Sequence, residues 1–240
     1  LINEDTFTYR AFDGIAYSTN ATVNVNNFTF NMFGGTENDE LHSVQQTTDG
    51  GYILAGYTFS FGNGNYDMYL VKTDANGIEE WSNTFGGPLE EGGYSVQQTT
   101  DEGYILGGFT ESFSNGIYYD DMYLVKTDAN GNEEWSKNFG SSSPEQGRSV
   151  QQTTDGGYIL AGYVYMSGSD YMYVVKTDAN GNEEWSNAFG GTNNDRANSV
   201  QQTTDGGYIL AGYTFSSGNG ASDMYLVKTD ANGIEEWSNT

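Results

Sequence analysis

One stretch returns four times and sets what this chain can fold into. Ser43-Val44-Gln45-Gln46-Thr47-Thr48-Asp49-Gly50-Gly51-Tyr52-Ile53-Leu54-Ala55-Gly56-Tyr57 recurs, nearly letter for letter, from Ser95, Ser149 and Ser199. Each copy continues through a variable loop into a segment like Asp67 to Gly77, then one like Glu79 to Gly87. The starts are 52, 54 and 50 residues apart. A period near 50 residues belongs to arrays and propellers, in which one supersecondary unit is repeated and stacked.

Each unit reads as four short strands. Strand a is Ser43 to Thr48, and Asp49-Gly50-Gly51 is a tight-turn signal. Strand b is Tyr52 to Thr58 and strand c is Asp67 to Thr73. Asp74-Ala75-Asn76-Gly77 makes a second hairpin turn before strand d, Glu79 to Phe85. No apolar spacing of 3, 4 and 7 persists over a dozen residues, so helices are not expected. Strand c puts Met68 and Leu70 on one face and Tyr69 and Val71 on the other. A sheet that is apolar on both faces must be covered on both sides, and radial stacking of blades does this with short edges. Trp81, Trp135, Trp185 and Trp237, one per unit, are expected to pack between blades, where burying an aromatic removes roughly 150–250 Å² from water.

The order of strands a and b, a small-residue doublet closing b, then c, a turn and a tryptophan opening d resembles the kelch propeller repeat. The doublets are Ala55-Gly56, Gly107-Gly108, Ala161-Gly162 and Ala211-Gly212; the second alone is the kelch diglycine. The Asp-Ala-Asn-Gly…Trp segment also resembles the tryptophan-docking blades of quinoprotein-like propellers. The whole string is similar to repeats in large secreted or surface proteins of archaea and bacteria. The resemblance covers residues 36–240 and implies an extracellular β-propeller. It says little about activity, because propellers host many functions.

Composition narrows the partners. The chain carries 33 acidic against 8 basic residues, a net charge of −25. Four of the eight are the repeated Lys72, Lys126, Lys176 and Lys228. Such a surface repels nucleic acid and anionic membranes. There is no cysteine, hence neither disulfide nor thiol chemistry. No run of 18 apolar residues offers a membrane-spanning helix. The chain starts at Leu1 with neither a start methionine nor a signal peptide, which reads as a portion of something larger.

Residues 1–27 stand outside the repeat and read as a β-hairpin. They resemble the last two strands of the Ig-like or cadherin-like modules of surface proteins. Asn20 and Asn27 open N-glycosylation sequons. Residues 28–42 read as a lone strand d with its loop, and four units follow at 43–94, 95–148, 149–198 and 199–240. A strand d without its own a, b and c points to a longer chain or to completion by a neighbouring molecule, a route to filaments.

The sequence offers little catalytic chemistry. Glu37, Asp39, Glu40, Glu90, Glu91 and Asp195 lie in the loops between strands d and a, and such oxygen ligands suit Ca²⁺, the one metal cofactor these loops suggest. His42 is the single histidine. It sits where other units have Tyr94, Arg148 and Asn198, and reads as an ordinary variable position that anchors no triad. The Glu79-Glu80 pair recurs in every unit, which fits pairing with the strand-c lysine better than glycosidase chemistry. One glutamine of each Gln-Gln pair is expected to face a central channel.

The expected fold is an all-β propeller of four-stranded antiparallel blades behind an N-terminal hairpin segment. The expected function is non-enzymatic: an extracellular, cell-surface structural or adhesive protein, with self-association or other surface proteins as partners. The alternative is a glycan-binding propeller using loop aromatics such as Tyr66 or Tyr119. A propeller enzyme ranks third.

Overall fold

The computed structural model describes residues 4–9, 21–26, 31–114 and 119–240, the first two segments as backbone only. The chain divides into two compact units, Leu1–Met32 and Phe33–Thr240. The first contains β1 (Glu4–Tyr9) and β2 (Ala21–Asn26), antiparallel, with Glu4 opposite Asn26 and Tyr9 opposite Ala21. The sequon residues Asn20 and Asn27 lie outside the described residues. So does Phe28–Phe30, where a lone strand was expected; 31–38 form no strand.

The second unit is a β-propeller array of four antiparallel four-stranded sheets, each running in sequence order. Blade 1 is β3 (Asp39–Gln46), β4 (Tyr52–Thr58), β5 (Asp67–Thr73) and β6 (Glu79–Phe85). Blade 2 is β7 (Glu91–Gln98), β8 (Tyr104–Thr110), β9 (Asp121–Thr127) and β10 (Glu133–Phe139). Blade 3 is β11 (Glu145–Gln152), β12 (Tyr158–Met166), β13 (Ser169–Thr177) and β14 (Glu183–Phe189). Blade 4 is β15 (Asp195–Gln202), β16 (Tyr208–Thr214), β17 (Asp223–Thr229) and β18 (Glu235–Asn239). Among the described residues no helix is long and apolar enough to cross a membrane.

Strand a begins four residues earlier than the sequence suggests. The ladder slips once between Leu41 and Ser43, Gly93 and Ser95, Gly147 and Ser149, and Ala197 and Ser199. The variable residues ahead of each slip therefore still pair with strand b, and His42, Tyr94, Arg148 and Asn198 are the bulged residues. A bulge re-aims the side chain it carries.

The core lies in the seams between blades. Ile53, Ala55, Met68, Leu70 and Phe85 of blade 1 pack against Val96, Tyr104, Leu106, Tyr123 and Val125 of blade 2. The other two seams repeat this chemistry. Trp81, Trp135 and Trp185 meet Tyr104, Tyr158 and Tyr208 of the next blade with ring centroids 5.6–5.7 Å apart. Each tryptophan ring also lies on the glycine of the next blade's c–d turn. A Cβ on Gly181 would sit 2.6 Å from Trp135 Cζ3, and Gly181 has φ of +75°. Glutamines staple the seams: Gln45, Gln97 and Gln151 accept from the backbone N–H of Gln98, Gln152 and Gln202 at 2.6–2.7 Å.

The strand-c lysine is more than a surface partner. Lys72 is buried, and its ammonium reaches Asp49 and Glu80, each at 2.8 Å, and donates to the Thr73 carbonyl at 3.0 Å. Lys126, Lys176 and Lys228 repeat the arrangement. The pairing with glutamate alone, expected from the sequence, omits the aspartate of the a–b turn. That aspartate also caps its own turn, Asp49 Oδ1 accepting from Gly51 N–H at 2.9 Å.

Candidate functional site

The bulges assemble a row of rings and cations across the blades. From β3, His42 lies 5.2 Å from Tyr57 of β4 and 5.0 Å from Tyr94 of β7, centroid to centroid. The Arg148 guanidinium of β11 lies 4.0 Å above the Tyr94 ring and 5.9 Å from that of Tyr163 on β12. Arg196 of β15 covers Tyr163 at 3.9 Å. Tyr66 extends the row beside Tyr57 at 4.9 Å, and Phe109 stacks on Tyr94 at 5.9 Å. Guanidinium over an aromatic face is a favourable electrostatic contact, stronger where water is excluded.

The two arginines differ in what neutralises them. Arg196 forks onto the buried Asp170 at 2.6 and 2.7 Å. Arg148 donates to Gln146 at 2.8 Å, and no carboxylate lies within ion-pair distance of it among the described residues. Gln146 in turn donates to Asp120. Burial and Arg148 together hold the His42 imidazole below its ordinary pKa against the pull of Glu40. Hydrogen bonding to Glu40 at 2.5 Å, with burial, pushes the Tyr57 hydroxyl up to about 12. The row thus combines stacked rings, tyrosine hydroxyl groups and, in Arg148, one cation with no carboxylate partner among the described residues, while the Tyr163 ring between the two arginines is buried. Sequence reading passed over it because His42, Tyr94 and Arg148 differ in type. Their common offset, one residue ahead of the strand-a serine, was the available signal.

The acidic residues named from the sequence do other work. Asp39, Glu91 and Asp195 occupy one equivalent position at the start of strand a, and Glu145 is its fourth member. Glu91 accepts from Gly87 N–H, Ser112 N–H and the Thr110 hydroxyl at 2.8–2.9 Å. Asp39 holds Gly35 N–H and Ser60 in the same way, and Asp195 holds Gly191 N–H and Ser216. These carboxylates tie the d–a connection to the b–c loop. Glu40 is bound to Tyr57, while Glu37 and Glu90 contribute backbone contacts at 3.0 and 2.8 Å. Among the described residues no three His, Asp or Glu side chains gather as a metal site.

Several clefts mark the rest of the surface. Val44, Val96, Val150 and Val200 with Gln45, Gln97, Gln151 and Gln201 line a central channel of about 370 Å³. A second cleft of about 570 Å³ lies between loops of blades 3 and 4, lined by Ser169, Asn193, Asn194 and Phe215 among others. Tyr119, a loop aromatic, is exposed.

No protein-family model matches the chain, and no curated protein does. Among solved structures it is similar to one described as a GH130 mannoside phosphorylase family member, among glycoside hydrolases that target β-1,2 mannosidic linkages in Candida mannan. The identity is 11%, the TM-score 0.43, and the match covers 84% of this chain and 70% of the other. The exclusion of enzymes drawn from the sequence is corrected by this finding: the similar structure is an enzyme, so the exclusion is withdrawn. At that distance no activity is transferred to this chain.

Proposed function

We propose that this chain belongs to an extracellular, cell-surface protein of adhesive or structural kind, and that the row from Tyr57 to Arg196 is its contact surface for glycans. The observation that carries the reading is the alternation His42, Tyr94, Arg148, Tyr163, Arg196 across four blades. Aromatic faces pack against the apolar faces of sugar rings, and the arginine and tyrosine heads donate to hydroxyl or carboxylate oxygens. The composition supports the extracellular half, since an acidic surface with so few cations suits solvent and neutral ligands. The resemblance of the repeats to those of archaeal and bacterial surface proteins points the same way.

The test is a glycan array read with the parent chain and with Tyr94→Ala and Arg148→Ala. Binding that falls about tenfold or more in each variant is expected, the loss usual for a central interface residue. A blank array, or signal untouched by both substitutions, defeats the glycan assignment. Labelling intact source cells with an antibody to the chain tests the surface assignment separately.

A further inference from the structure

A cleft of about 410 Å³ opens on the first seam, beside the a–b turn of blade 1 and the c–d turn of blade 2. This is the end of the strands away from the Tyr57–Arg196 row, so nothing here rests on the glycan reading. Its wall is aromatic. Trp81 of blade 1 is half-buried and meets Tyr104 of blade 2 at 5.7 Å, with the ring planes 58° apart. Its rim is charged. Asp49, Glu80 and Glu102 stand against the one ammonium of Lys72, which leaves a charge of −2.

Three features decide what the cleft can hold. Lys72 has no donor to offer, because its ammonium already meets Asp49, Glu80 and the Thr73 carbonyl. Acceptors are in excess, since the Asp49 side chain is 58% exposed, that of Glu80 46%, and Glu102 is exposed as well. Tyr104 lines the cleft while only 2% exposed, and its hydroxyl forms no hydrogen bond among the described residues. Burial, with Asp49, Glu80 and Glu102 adding and Lys72 opposing, raises the pKa of that phenol, so it is a neutral hydroxyl able to accept. A buried hydroxyl without a partner is unfavourable, and a ligand that donates to it relieves the cost. A metal ion does not suit the arrangement: among the described residues no three acidic side chains converge on one point, and Lys72 already sits between two of them. A larger cation with an apolar stem does, and a chain of net charge −25 draws cations to its surface.

We propose that this cleft binds an alkylammonium group, carried by a free amine or by a lysine side chain of another protein. The ammonium donates to the Glu102 carboxylate and the Tyr104 hydroxyl, and the methylene stem lies against the open part of the Trp81 ring. Glu102 sets this seam apart. Trp135 with Tyr158 and Trp185 with Tyr208 repeat the wall, and Lys126 and Lys176 repeat the ion pairs of the rim. The counterparts of Glu102, however, are Gly156 and Gly206. One strong site per chain follows.

Isothermal titration calorimetry of the 240-residue chain at pH 7 and low salt tests this, with n-butylammonium chloride and an end-capped glycine-lysine-glycine peptide as probes. The expected result is one site per chain, half-saturated at about 1 mM or below, and weakened by added salt. Equal affinity for both probes identifies the free amine as sufficient; tighter binding of the peptide identifies a protein lysine. Glu102→Gly and Glu102→Gln each lower the affinity about tenfold, the loss expected for a charge-assisted hydrogen bond, and Tyr104→Phe lowers it about threefold. Glu102 holds a φ of +69°, which glycine adopts freely, so its replacement by glycine does not endanger the fold. Gly156→Glu, at a turn where a Cβ meets nothing within 4 Å, adds a second equivalent site on the next seam. No saturable heat with either probe up to about 20 mM overturns the proposal, as do Glu102 variants that bind like the parent. Saturable binding of methyl glucoside with n-butylammonium silent assigns the cleft to neutral sugars and overturns it too.

Discussion

The seams predict a sharp contrast between two chemically identical residues. Trp185 of blade 3 packs on Tyr208 at 5.6 Å and on Gly233 of blade 4. Trp237 occupies the same place in blade 4, the last blade among the described residues, and is 44% exposed. Removing a buried tryptophan costs about 3–5 kcal/mol. Trp185 is half-buried, so the lower end, about 3 kcal/mol, applies to Trp185→Ala. Trp237→Ala removes a ring that is 44% exposed, and its cost in this 240-residue chain stays under about 1 kcal/mol. The assay is urea unfolding followed by far-ultraviolet circular dichroism, at a concentration where sedimentation gives one copy. Repeat arrays couple neighbouring units, so m-values are compared as well as midpoints. An unchanged m with a lower midpoint for Trp185→Ala isolates the seam. Equal losses for the two variants in the single chain would refute the view that these rings act between blades rather than within them.

Four further outcomes follow from the same geometry. Glu102 holds φ of +69° at the turn position that is Gly50, Gly156 and Gly206 elsewhere, near +89° in each. A side chain there costs roughly 1 kcal/mol, so Glu102→Gly raises stability by about that amount; a loss on thermal unfolding would contradict it. Lys126→Met leaves Asp101 and Glu134 facing each other without their shared cation. Because both carboxylates are half exposed, the expected cost is about 1–2 kcal/mol, and a variant as stable as the parent would show the ammonium to be idle. Stability should peak near pH 4 and decline from there to about pH 7, measured as thermal midpoints at fixed ionic strength. Burial works against the Asp155 carboxylate, but hydrogen bonds from Thr153 and Lys176 hold it at about 2. That contribution is complete above the unfolded value near 3.8 and is lost as pH falls through 2. Burial raises Asp67 to about 6, with Glu91 adding, and raises Glu145 to about 7, with Asp121 adding. Their contribution is complete below the unfolded values and is lost as pH rises through 6 and 7. Glu145→Gln should accordingly flatten the decline between about pH 4.5 and 7; a midpoint that keeps climbing to pH 8 in the parent would reverse the sign of the argument.

The repeat made strands b, c and d legible to the residue. Tyr52–Thr58, Asp67–Thr73 and Glu79–Phe85 end where the turn residues and the apolar run say they end. The start of strand a was hidden, because Asp39–Leu41 and their counterparts vary from unit to unit and so look like loop. Main-chain pairing to strand b does not need a fixed side chain, and Leu41 opposite Gly56 pairs as well as Gly93 opposite Gly108. The hidden start also concealed the bulge, and with it the row through His42, Tyr94 and Arg148. The carboxylate that ties the loops of each blade together, buried in blades 2 to 4 and half-buried in blade 1, was misread for a related reason. It stands four residues before the strand-a serine in every unit, as Asp39, Glu91, Glu145 and Asp195. Read without the fold it looked like a loop acid suited to calcium, and Glu145 drew no notice at all. What recurs unchanged here is what every blade needs to pack against a neighbour. What differs at a fixed offset is free of that demand, and the bulge re-aims the side chain it carries, bringing His42, Tyr94 and Arg148 into one row.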